Sequence, residues 1–150
     1  MPNPATLLTP EEGAFYNVGP LAIRARVLGD QTGGAFEMYE LGLGVATVDY
    51  HVHNRMDETI CVLEGEIEFT VEGETYSRPA GSVAFIPRGL HHGFSNKGPA
   101  SARVLIVFAP STNQNEYFQA VQAALADGYA SKIPELQEKY DQVLIPAPTA

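Results

Sequence analysis

Between residues 21 and 110, apolar and polar positions exchange in short runs cut by glycine, proline and small polar residues. Runs at 22–28, 35–43, 46–53, 59–63, 66–71, 82–86 and 101–109 each have the length of a strand, and 66–71 alternates apolar with polar residues. The turn-rich stretch 29–34, the glycines at 42 and 44, Glu64-Gly65, Glu72-Gly73 and Pro87 mark the breaks. Strands this short, at this spacing, predict an antiparallel sandwich or barrel. The period changes after Pro110. Residues 115–127 place Phe118, Val121 and Leu125 on one helical face, with Gly128 where a C-terminal cap belongs. A second short helix is expected from Pro134 to Tyr140. Both helices are expected to pack outside the barrel rather than to form a lid over its mouth, and 146–150 reads as an extended end. The predicted class is all-β: one domain over 1–150, with a barrel core at about 21–110 and a helical segment at about 113–141.

Composition narrows the partners. The 150 residues carry a net charge of −9 with no local Lys/Arg cluster, which argues against nucleic acid and against an anionic membrane surface. Cys61 is the single cysteine, so disulfides and thiolate metal sites are not expected. The first residues lack the basic and apolar regions of a secretory signal, and the most apolar stretch, 104–109, is too short to cross a bilayer. A cytoplasmic protein is expected.

The four histidines fall in two pairs, His51 with His53 and His91 with His92. Residues two apart on a strand share a face, so His51 and His53 project together, and Glu58 is close enough to turn back onto them. Taken alone, His-x-His on a strand is either a metal-binding pair or a polar strand face. Alternation from His92 sends Phe94 and Asn96 to its own side and His91 to the other. Asp57 rivals Glu58, but Glu58 shares its face with Ile60 and Val62.

The surrounding spacing is more specific. From His51 the chain reads His-x-His, four residues, Glu58, six residues, Gly65. From Gly81 it reads five residues, Pro87-x-Gly89, two residues, His92, three residues, Asn96. These runs resemble the paired motifs of the cupin superfamily, although the leading glycine of the first, Gly44, stands one residue early. The resemblance implies a double-stranded β-helix, a jelly-roll barrel, with His51, His53, Glu58 and His92 holding one divalent metal ion. Three imidazoles and a carboxylate suit Fe, Mn, Co, Ni, Cu or Zn, and the donor set does not choose among them. Four protein ligands on an octahedrally inclined metal leave about two positions for other molecules.

Among cupins, the chain looks most like small one-barrel proteins of the quercetin-dioxygenase-like group. That likeness implies a dioxygenase in which an enol, flavonol-like or aromatic substrate meets the metal beside O₂, Glu58 takes its proton and a ring or C–C bond is cleaved. The alternatives are a non-oxidative lyase, isomerase or decarboxylase, and a barrel that only binds a small ligand. No DNA-binding segment accompanies the barrel, which weighs against a regulator. The resemblance also implies a homodimer in which an N-terminal strand pairs with the partner's sheet, and 14–18 is the stretch expected to contribute.

Other features have plainer readings. Cys61 is expected to be a small core residue. Tyr39, Tyr50, Phe69, Phe85 and Phe94 are expected in the core or the pocket wall. Arg24 and Arg26 are expected to form outer-face ion pairs with Glu37 or Glu40, and Glu64, Glu66, Glu68 and Glu72 to form a solvated strand edge.

Overall fold

A computed structural model describes residues 2–148, so the last two positions of the expected extended end lie outside the described residues. The strand-sized runs build two antiparallel sheets. One contains β1 (Phe15–Val18), β2 (Leu21–Val27), β3 (Glu37–Leu43), β5 (Asp57–Glu64), β8 (Val83–Ile86) and β10 (Ala102–Ala109), in the order β1-β2-β3-β10-β5-β8. The other contains β4 (Ala46–Val52), β6 (Glu66–Val71), β7 (Glu74–Pro79), β9 (His92–Asn96) and β11 (Val143–Leu144), in the order β11-β4-β9-β6-β7. Two helices follow the barrel strands, α1 (Gln114–Ala126) and α2 (Ile133–Lys139). No helix among the described residues is long and apolar enough to cross a membrane.

Strict alternation makes the core. In β3, Glu37, Tyr39, Leu41 and Leu43 are buried, and in β10 Ala102, Val104, Ile106 and Phe108 are. They meet Ile60 and Val62 from β5 and Ile67, Phe69 and Phe94 from the opposite sheet. Gly65 joins β5 to β6 at φ +79°, and a Cβ there would sit 2.9 Å from that of Ala102. Glycine alone fits so close an approach.

Several expectations need correction. α1 buries Gln114, Tyr117, Val121 and Ala124, whereas Leu125 stays exposed. The helix does end as expected, with Gly128 at φ +78° and the Tyr129 N–H on the Ala124 carbonyl. α1 lies over the barrel mouth rather than outside the barrel: Phe118 packs edge-on against Tyr39, with centroids 5.0 Å apart, and it lines the cavity below. Residues 15–18 form an edge strand of the six-stranded sheet, paired on one side with β2, Phe15 opposite Arg24, which does not contradict the expected pairing with a partner.

The arginines do not reach Glu37 or Glu40. Arg24 and Arg26 instead donate to backbone carbonyls of the N-terminal segment, including those of Glu11 and Glu12. Glu40 pairs with Arg103. Glu37 is fully buried and accepts from the Tyr39 and Ser111 hydroxyls and the Thr112 and Gln114 amides. β6, with Glu66 and Glu68, is an inner strand, and the edge beside it is β7. Cys61 is half-buried on the outer face between Val83 and Leu105. Phe85 is 60% exposed, and Tyr50 points outward to meet His91 and the Gly73 amide.

Candidate metal centre

β4 delivers the first two histidines through an irregularity. Ala46 and Val48 pack on the core, so uninterrupted alternation would send Tyr50 inward and His51 out. The β4–β9 ladder shifts register between Val48 and His51, and this bulge returns His51, and His53 beyond it, to the inner face. On β9, Gly93 lets the backbones close: a Cβ there would lie 2.9 Å from the Val48 carbonyl oxygen. His92 is thereby set directly opposite His51. Glu58 arrives by regular alternation on β5, one position before Thr59 and two before Ile60.

The four side chains meet. Their ligand atoms all lie within 4.8 Å of one another, and all four residues are buried. His51 Nε2 is 3.1 Å from His53 Nε2, and Glu58 Oε1 lies 3.0 Å from His53 Nε2 and 2.8 Å from His92 Nε2. His91 is exposed and Asp57 forms a two-pronged pair with Arg88, so neither rival joins the group.

Each ring is oriented from behind. His51 Nδ1 is 2.5 Å from the Asp49 carbonyl oxygen, His92 Nδ1 3.0 Å from that of Leu90, and His53 Nδ1 2.7 Å from that of Asp141. A carbonyl only accepts, so Nδ1 carries the proton in all three rings and the Nε2 lone pairs converge with the carboxylate oxygen. Lone pairs so gathered repel unless a cation or a proton lies among them. With nitrogen and oxygen donors and no sulfur, the group fits a divalent transition metal.

The electrostatics agree. Burial pulls the His51 imidazole down to about 3, helped by His92 and His53. Burial also works against a charged His53, but the hydrogen bond and charge of Glu58 outweigh it and raise that group. Burial would raise the Glu58 carboxyl, and the hydrogen bonds from His53 and His92 reverse this and hold it well below the usual carboxylate range.

Three of the four residues, His51, His53 and Glu58, line a cavity of about 110 Å³, walled mainly by apolar side chains such as Ile23, Leu41, Phe94 and Phe108. Tyr117, Phe118 and Gln142 close it from the C-terminal side. Phe118 had shown itself only as part of a helical stripe, and Gln142 carries no local signal.

A cupin domain model matches residues 38–108, which span both histidine runs. A solved structure from Salmonella typhimurium LT2, described as an ethanolamine utilization protein Q, is 33% identical at a TM-score of 0.52, over 62% of this chain and 73% of that one. The chain belongs to the cupin superfamily. Its barrel also superposes on KdgF from Halomonas sp. with a TM-score of 0.64 at 19% identity, covering 72% of this chain and 96% of that one. Quercetin 2,3-dioxygenase of Bacillus subtilis is 36% identical over 89 residues, 59% of this chain and 26% of that protein. The chain spans 26% to 47% of the length of the first curated relatives it matches.

Proposed function

We propose that this cupin is a metal-dependent dioxygenase acting on an uncharged, enolisable small molecule. The observation that carries the reading is the cavity itself, an apolar chamber lined at its polar end by His51, His53 and Glu58, with His92 Nε2 2.8 Å from the Glu58 carboxylate. A divalent transition metal held there by His51, His53, Glu58 and His92 would supply Lewis acidity and a place for O₂ beside the substrate.

The remaining work falls to the chain's own groups. Both histidine contacts to Glu58 use Oε1, and among the described residues no protein donor reaches Oε2. Glu58 is thus the group that takes the proton of an enol or of a carbon next to a carbonyl. The apolar wall excludes water, which protects the resulting anion from being reprotonated by solvent. Both oxygen atoms of O₂ enter the products and the substrate supplies the electrons, so no separate reductant is needed.

Neither lysine nor arginine lines this cavity, which disfavours substrates held by a carboxylate or phosphate. At about 110 Å³ the chamber is smaller than the ~300–1,000 Å³ typical of drug-sized ligands. A compact enol or 1,3-dicarbonyl compound fits this size, and a flavonol enters only with α1 and the C-terminal segment displaced. The similarity to quercetin 2,3-dioxygenase supports the reaction type more than the size of the substrate.

The test is oxygen uptake by protein reloaded with Fe, Mn, Co, Ni or Cu, on a panel running from small 1,3-dicarbonyls to flavonols. Equal consumption of O₂ and substrate supports the reading. Turnover without oxygen uptake would replace it with lyase, isomerase or decarboxylase chemistry.

We also propose that the protein works as a homodimer in a reducing compartment. Val83, Phe85 and Leu63 expose an apolar strip at one side of the six-stranded sheet, of the sort a second copy covers. Light scattering on the sized protein reads the oligomeric state, and a monomer would remove the idea.

A further inference from the structure

We propose that Asp141 is a positioning residue for His53, so that a segment beyond the barrel sets the metal affinity of the centre. The inference rests on the metal reading above. His51 and His92 are oriented by carbonyls two residues earlier on their own strands, Asp49 and Leu90. His53 differs. It lies just past the end of β4 at Val52, and its Nδ1–H donates to the carbonyl of Asp141, 88 residues downstream.

Asp141 holds this stretch of chain at three points. Its carbonyl accepts from His53, while its carboxylate accepts from the Asn54 amide at 2.8 Å and the Arg55 amide at 2.7 Å. Two charge-assisted bonds to consecutive amides fix the backbone immediately after the ligand. The residue is buried and adopts φ +64°, a left-handed conformation that Asp and Asn tolerate better than most residues.

The segment around Asp141 is itself anchored. Gln114 on α1 donates to the Tyr140 carbonyl at 2.6 Å and accepts from Gln142 at 2.8 Å. Val143 and Leu144 then add a short strand to β4, opposite Val52 and His51. The same segment that brings Gln142 to the cavity wall therefore also aims a ligand beneath it.

The experiment measures Co(II) dissociation constants by chelator competition, and the Co(II) absorption spectrum, for the parent, Asp141→Ala and Asp141→Asn. Metal-free circular dichroism and melting are recorded alongside. Loss of outer contacts to metal ligands commonly weakens metal binding by about 10–100-fold. Asp141→Ala is expected to fall in that range with an altered spectrum, and Asp141→Asn, which keeps one acceptor and sets an NH₂ against the other amide, to lie between Asp141→Ala and the parent. Folded Asp141→Ala with the parent's affinity and spectrum would overturn the proposal. If Asp141→Ala does not fold, Gln114→Ala decides in its place: a severalfold loss of Co(II) affinity supports the proposal and an unchanged affinity overturns it. A parent protein that takes up no metal at all overturns the metal reading first, and this inference with it.

Discussion

His51 and His92 face one another across the β4–β9 ladder with ring centroids 4.3 Å apart, although 41 positions of chain separate them. The contact exists because the bulge in β4 and the close approach at Gly93 put both rings on the inner face. Substituting either ring removes one of the four side chains proposed to hold the metal without opening the apolar core. His51→Ala and His92→Ala are therefore expected to lose stoichiometric metal while far-UV circular dichroism still reports a folded barrel. His91→Ala, altered on the outer face beside Tyr50, is expected to retain metal like the parent. Loss of metal in His91→Ala would mean that the β9 register is off by one.

Glu37 gives a prediction about stability rather than chemistry. Its buried carboxylate accepts four hydrogen bonds, and the three from Ser111, Thr112 and Gln114 fasten the link from β10 into α1 to β3. Glu37→Ala strands those donors away from water and is expected to cost roughly 2–4 kcal/mol. Chemical denaturation measures this, and a loss below about 1 kcal/mol would contradict the role.

The four-residue cluster was legible in the sequence because its signals are local: His-x-His, Glu58 and His92 sit inside two tightly spaced runs. Alternation put His91 and His92 on opposite faces, and the spacing from Gly81 and Pro87-x-Gly89 chose His92 as the inward one. The bulge that makes His51 and His53 face inward left no mark in the hydrophobic pattern. β7 escaped notice because every side chain from Glu74 to Pro79 is exposed, so no alternation betrays it. Arg24, Arg26 and Asp141 were misread or missed for one shared reason. Their partners are backbone groups far along the chain, and side-chain type says nothing about which carbonyl or amide a fold will bring near.

Phe118 closes the mouth of the cavity, so its truncation should widen the range of molecules admitted. Phe118→Ala is expected to cost roughly 1–3 kcal/mol, since the ring is only partly buried, and to accept bulkier substrates relative to compact ones. The ratio of kcat/KM values for a flavonol and a small 1,3-dicarbonyl reads the change. An unaltered ratio would show that entry lies elsewhere.

Metal loading should release a proton. In the metal-free centre the Glu58 hydrogen bond and charge, overcoming burial, raise His53 above its ordinary value, so this group holds a proton that the metal must displace. Affinity therefore rises with pH until His53 is deprotonated, by up to about tenfold per pH unit for each proton displaced, and then levels off. His51, held down to about 3, is neutral throughout the physiological range and contributes nothing to this slope. Calorimetric titration in buffers of different ionisation enthalpy at about pH 6.5 counts the protons. Release of none would contradict the assignment of His53.

The most direct test of the metal centre is elemental analysis of the purified protein, stripped with chelator, reloaded with each candidate metal in turn and freed of excess by gel filtration. The geometry predicts about one equivalent of divalent transition metal per chain, released again by chelator. A folded protein that retains no metal under any of these conditions would contradict it.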